Sequence, residues 1–147
     1  MISMTRYESR VKAAQTLYQM DLIKADSDLA YQYAEALNQG EILIQNYPVD
    51  EFAKALIDGV IEHLEAIDEV ISSSLVKWTL SRMSYLDRAI VRIATYEMMF
   101  TNIPTTIIIN EAVEISKAYT DLEDGASSKF NNKLLDTISK SLAKYDG

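Results

Sequence analysis

The sequence predicts an all-α domain, and three observations carry that prediction. Only 4 Gly and 2 Pro interrupt 147 residues, while Ala, Leu, Ile, Glu and Lys, all compatible with helices, are abundant. Apolar residues recur at steps of three and four through most of the chain, the period of a buried helical stripe. The one run that invites a strand is the β-branched Ile107-Ile108-Ile109. It continues into Ala112, Val113, Ile115, Ser116 and Tyr119, and from Ile108 onward these residues share one arc at about 100° per residue, which is helical phase.

The elements follow in order. A first helix runs from about Thr5, a plausible cap, to Ile23, with Tyr7, Val11, Ala14 and Tyr18 on one face. A second is expected between Ser27 and Ile44. Tyr47-Pro48-Val49 breaks the chain, and Asp50 can cap a long third helix reaching about Ser74, striped by Phe52, Leu56, Val60, Leu64, Ile67 and Ile71. Lys77 to Tyr85, containing Trp78, is a short irregular or helical connection. Helical periodicity resumes from Leu86 to Phe100 and stops before Pro104. A fifth helix spans about Thr106 to Tyr119. After the acidic turn "TDLEDGAS", a sixth runs from about Ser127 to Lys144, with a serine available as cap. No internal repeat or linker divides the chain, so residues 1–147 are read as one domain, long enough to bury roughly two-thirds of its unfolded surface.

Composition removes several classes of function. With no cysteine and a single histidine, disulfides, thiolate metal sites and multi-histidine metal sites are excluded. His63 lies in "EHLE" and reads as part of a solvated face. There is no Gly-rich phosphate loop, no nucleophile elbow, and no mark of a pocket that would raise a carboxylate pKa, so neither catalysis nor a cofactor is expected. No apolar run approaches the roughly 18 residues of a membrane span, and no secretory signal opens the chain, so a cytoplasmic protein without a membrane partner is expected. The net charge of -8 is partitioned. Residues 1–20 sum to +2, residues 21–76 to -10 and residues 77–147 to 0. A polyanion would be tolerated at the N-terminus and on local basic faces of the last third, and repelled by the middle.

Four groups of side chains stand out. Arg6, Arg10 and Lys12 concentrate positive charge in the opening helix, and Arg6 and Arg10 project on the same side as Ala13, Ala14 and Leu17. Two readings fit: a groove beside the core in which guanidinium forks meet phosphates and Tyr7 or Tyr18 stacks on bases, or internal ion pairs with buried acids. Glu97 falls within about 20° of the stripe set by Leu86, Ile90 and Ile93, so it should be buried and bonded to an arginine, a hydroxyl or a helix start. Asn131 projects among Phe130, Leu134, Ile138 and Leu142 and needs a polar partner. Lys129, Lys133, Lys140 and Lys144 fall within an arc of about 60°, either a solubilising face or an anion-binding ridge.

Joint order and spacing of several stretches adds a further reading. The pieces are "AAQTLYQMD" (13–21), "FAKALIDGV" (52–60), "AIDEVI" (66–71), Trp78 with Arg82, "LDRAIVRIATYEM" (86–98), "IPTTIIINEAVEISKAY" (103–119) and "SSKFNNKLLD" (127–136). Over almost its whole length the chain resembles the bacterial NusB family of transcription antitermination factors. That resemblance implies an all-helical fold of about six to seven helices in two small subdomains. It also implies a non-enzymatic adaptor that binds boxA RNA of ribosomal-operon leaders, pairs with the NusE ribosomal protein and joins elongating RNA polymerase through other Nus factors.

The family's arginine-rich N-terminus corresponds here to Arg6 and Arg10. The RNA-facing set then becomes Arg6, Arg10, Lys12 and Tyr18 with Lys129, Phe130 and Lys133, and the two helix starts are expected to lie together as one basic groove. Met83 to Arg88 matches the part of the family fold at the NusE interface, making Arg82, Met83, Asp87 and Arg88 the partner-facing set. Asp87 has a second reading, as a carboxylate favourable to the helix dipole. The chain departs from the family at Tyr7 and Glu8, where relatives can carry arginines. It departs again at Phe130-Asn131-Asn132-Lys133, where the family has F-V-N-G. Monomer and homodimer both remain open. Two alternatives are an RNA-independent helical adaptor and the NusB-like N-terminal domain of ribosomal-RNA cytosine methyltransferases, which are expected to require a far longer chain.

Overall fold

A computed structural model describes residues 4–23, 28, 31, 48–121 and 124–146. The helix expected over Ser27 to Ile44 lies outside the described residues apart from Asp28 and Tyr31. Among the described residues there are six α-helices and no strand: α1 (Arg6–Ile23), α2 (Glu51–Glu62), α3 (Leu64–Ser74), α4 (Tyr85–Phe100), α5 (Thr105–Tyr119) and α6 (Ala126–Asp146), with a 3-10 turn at Leu80–Arg82 before α4.

α1 begins at a reciprocal capping box. Thr5 Oγ1 accepts from Glu8 N at 3.0 Å, while Thr5 N donates to Glu8 Oε1 at 2.8 Å, so two otherwise orphaned amides of the first turn are satisfied. Asp50 caps α2 by accepting from Ala53 N at 2.8 Å, and its other oxygen accepts from Ser9 Oγ at 2.8 Å, which ties this cap to α1. The expected long third helix is broken. His63 leaves the helical region at φ -111°, ψ 22°, separating α2 from α3. Its ring is not simply solvated: it stacks on Phe100 with centroids 4.1 Å apart. Nearby, Gly59 presses its bare Cα against the Tyr96 ring, where a Cβ would collide.

α4 is the hub, packing against α1, α2, α3, α5 and α6. Its short residues Ala89 and Ala94 and its branched Ile90, Val91 and Ile93 are all buried, so neighbours can close on several sides. Ile57, Ile67, Ile71, Leu135 and Ile138 are fully enclosed around it. Helix α6 is not capped by a serine as expected. Asp124 Oδ1 accepts from Ala126 N at 3.0 Å, and Asp121 accepts from Ser128 N at 2.6 Å and from Ser128 Oγ at 2.7 Å. Carboxylates suit the positive end of a helix better than a hydroxyl does. The Ser128 hydroxyl, and then its N–H, hold the Asp121 carboxyl below the usual range against the opposing effect of desolvation.

Candidate nucleic-acid and partner interface

The opening helix divides its cations. Arg6 is exposed, with its guanidinium 4.1 Å from the centroid of the Phe52 ring on α2. The ring quadrupole attracts the cation and holds Arg6 against α2. Arg10, one turn on, is 4% exposed. Its Nε donates to Glu97 Oε1 at 2.8 Å, its Nη2 to Glu97 Oε2 at 2.7 Å and its Nη1 to Glu111 Oε1 at 2.9 Å. Burial opposes the Arg10 charge, but the bonds and charge of Glu97, then of Glu111, outweigh it and raise the guanidinium above its ordinary value. Glu97 is itself 1% exposed. The fork of Arg10 is thus fully engaged, and of the two sequence readings the structure gives the internal ion pair. Lys12 is also withdrawn from the surface at 0% exposure, with Nζ reaching Gln15 Oε1 at 3.4 Å. Tyr18 is half-buried against the core.

The starts of α1 and α6, expected to lie together as one basic groove, meet α4 at different points. The start of α1 meets α4 at Glu97, whereas the start of α6 meets it at Asp87 through Asn131 Nδ2, 3.0 Å from Asp87 Oδ1. Ten residues of helix separate those points by roughly 15 Å.

The partner-facing set also divides. Arg88 points toward α1 and pairs with Asp21 at 2.8 Å, while its neighbour Arg92 holds Asp68 at 2.8 Å. Its charge is spent joining α1 to α4, which removes it from a free surface. Asp87 is tied to Ser84, the N-cap of α4, whose Oγ accepts from Asp87 N at 3.1 Å and donates to Asp87 Oδ2 at 2.9 Å. The same carboxylate accepts from Asn131 and from Ser127 Oγ at 3.3 Å. Asn131, 0% exposed, donates a second bond to Ser116 Oγ at 3.0 Å. A polar triangle thus stands where the family's valine would pack, linking α4, α5 and α6.

Arg82, Met83 and Asp87 nevertheless meet in one place. With Trp78, Ser127 and Phe130 they line an open cavity of about 320 Å³. Arg82 lies 4.5 Å above the Trp78 ring, and Trp78 meets Phe130 edge-on at 6.5 Å and 63°. Residues assigned from sequence to RNA and to a protein partner therefore share this wall. Sequence reading missed Trp78 as a wall residue, although a lone tryptophan in an irregular segment was the available signal. It also missed Phe52 beneath Arg6, and Glu111, whose place beside the stripe of Ile108, Ala112 and Ile115 could have indicated it. Among the described residues no group of three or more His, Asp or Glu could hold a metal ion.

A sequence model of the NusB family matches residues 7–140. The chain belongs to the NusB family. It is 38% identical over 142 residues to the transcription antitermination protein NusB of Geobacillus kaustophilus, covering 96% of this chain and all of that one. The solved structure of T. maritima NusB superposes with a TM-score of 0.73 at 36% identity, over 95% of this chain and 93% of that one. The structure of antitermination factors NusB and NusE in complex with dsRNA gives 0.76 at 27% identity, over 94% and 99%. The family acts in transcription antitermination and is not enzymatic. Among the described residues no helix is long and apolar enough to cross a membrane.

Proposed function

We propose that this chain, acting as one domain in the cytoplasm, is an antitermination factor. In this reading it binds boxA RNA of ribosomal-operon leaders together with a NusE-type ribosomal protein and associates with elongating RNA polymerase through other Nus factors. The observation that carries this reading is similarity over nearly the whole chain, in sequence and in backbone, to proteins of that name, one of them solved with NusE and dsRNA. The molecule supplies surfaces of suitable chemistry. Arg6 offers a guanidinium to phosphate at the start of α1, and half-buried Tyr18 lies about three turns further along the same helix. Lys129, Phe130 and Lys133 offer two cations and a ring on α6, all three exposed. Of the partner-facing set, Arg82 is exposed, Asp87 half-buried and Met83 buried, so Arg82 and Asp87 are left to form the partner side. Arg10 and Lys12 serve by positioning α1, and Arg88 by holding it to α4.

The test is a titration of boxA-containing RNA with and without the NusE-type protein at moderate salt. Binding that tightens when the protein is present is the expected result. Absence of binding in both arms would overturn the RNA half and leave an RNA-independent adaptor. Sedimentation of the same samples across concentration distinguishes monomer from homodimer.

A further inference from the structure

A groove that shares no residue with the Trp78 cavity runs between the end of α1 and the junction of α2 with α3. It encloses about 290 Å³, and its apolar lining is Leu17 and Met20 of α1 with Val60, Ile61 and Leu64 of the junction. Asp21 and Arg92 complete it. Their charges are already matched, since Arg92 pairs with Asp21 at 3.5 Å and with Asp68 at 2.8 Å, and Asp21 also holds Arg88.

The apolar surface extends beyond the groove. The sequence stripe that runs through Val60 and Ile67 includes Leu64, yet with the helix broken at His63 both Leu64 and Ile61 stay 37% exposed. Leu22, next to Asp21, is 48% exposed. Phe100, 43% exposed, adjoins the junction through its stack on His63. Single exposed apolar residues need no explanation, but several around one concave site mark an interaction surface.

The charge beside this surface is negative. Glu62, Glu65 and Glu69 are exposed and form no ion pair among the described residues. Glu65 and Glu69 stand one turn apart on one face of α3. All three belong to residues 21–76, which carry a net charge of -10. Such a border repels RNA and a second copy of this acidic chain, and attracts lysine and arginine.

We propose that this groove receives a lysine- or arginine-rich segment of a protein partner. The segment inserts apolar side chains between Met20 and Leu64 and sets its cations against Glu62, Glu65 and Glu69. The site shares no residue with the surfaces assigned above to RNA and to a NusE-type protein, so the chain can hold this second protein while those are bound. The proposal is independent of the RNA reading.

The probe is a labelled synthetic amphipathic peptide with a lysine face and a leucine face, used with two analogues, one carrying serine for leucine and one glutamate for lysine. Anisotropy of the peptide with the full chain reads affinity, and backbone amide shifts of the chain locate the site. The parent peptide should bind and shift residues 17–22 and 60–65. Each leucine removed should weaken it by roughly 10- to 150-fold, and the glutamate analogue should not bind. Glu62→Lys combined with Glu65→Lys should weaken the parent peptide roughly tenfold without changing the melting temperature. Leu64→Gln should weaken it as well. Affinity unchanged in both variants would overturn the proposal, as would failure of the parent peptide to bind or amide shifts centred on Trp78. Saturation with the NusE-type protein should leave the peptide's affinity unaltered; competition would give the groove to that protein and overturn a second partner. Shifts of residues 17–22 and 60–65 on concentrating the chain alone would assign the groove to a second copy and likewise overturn it.

Discussion

Arg10 of α1 grips Glu97 of α4 through two parallel hydrogen bonds, although 87 residues separate them, and both side chains are almost completely excluded from solvent. The fork-to-fork geometry gives both Glu97 oxygens a charged donor, and Glu111 takes the remaining arm of the guanidinium. The pair orients the start of α1 and hence the exposed Arg6.

Breaking this pair should be costly because Glu97 bonds to no other charged group among the described residues and Arg10 would keep only Glu111. Glu97→Ala should destabilise the fold by about 3 to 5 kcal/mol, read by urea denaturation. Arg10→Ala should cost a similar amount. The double replacement by apolar residues of similar volume, Arg10→Met with Glu97→Leu, should recover much of the loss. Single variants as stable as the parent would show that the pair is dispensable.

Asp87 should behave as a structural junction before it behaves as a contact. Asp87→Ala leaves the Ser84 cap bond to the backbone N–H of residue 87 but removes the acceptor shared by Ser84, Ser127 and Asn131, a loss of about 1 to 3 kcal/mol. Thermal unfolding measures it. A change under about 0.5 kcal/mol would contradict the bonds to Ser84 and Asn131.

Arg6→Ala should weaken every RNA sequence to a similar degree and lower the salt-dependence slope by about 0.7 to 0.9, since one phosphate contact is lost. Stability should fall by no more than about 1 kcal/mol, the contribution of a cation on an exposed ring. In Arg10→Ala, by contrast, the folded fraction should keep its salt slope. Equal slopes for parent and Arg6→Ala would remove Arg6 from the RNA surface.

Asp121 makes the start of α6 sensitive to acid. Its carboxyl titrates below its ordinary 3.8 because Ser128 donates to the ionised form. A depressed folded value means that the contribution is fully present above the unfolded value and is lost as pH falls through the folded one. The melting-temperature gap between the parent and Asp121→Ala should therefore be constant near neutrality and close progressively below about pH 4. A gap that widened in acid would reverse the sign and refute the assignment.

The helices were legible in the sequence because their signals are local. Three-and-four spacing marked the apolar faces, Pro48 and Pro104 marked breaks, and helical phase alone placed Glu97 among Ile90 and Ile93. The order and spacing of motifs such as "LDRAIVRIATYEM" and "IPTTIIINEAVEISKAY" carried the family. The break at His63 was not legible, since the apolar stripe runs through it without interruption. It accompanies a stack on Phe100, a residue from another helix. Nor could charge alone show that Arg6 is free while Arg10 is consumed. The two have the same side chain one turn apart, and only the approach of Glu97 and Glu111 from other helices decides which one water can reach. The same holds for Asp87 and Arg88, neighbours in sequence whose partners lie on opposite sides of α4. Sequence by itself determined which residues are helical and which faces are apolar, because hydrogen bonding and periodicity act within a few residues. Tertiary structure decided which polar groups are spent inside and which are left to bind, because that depends on partners brought together only when the helices close around α4.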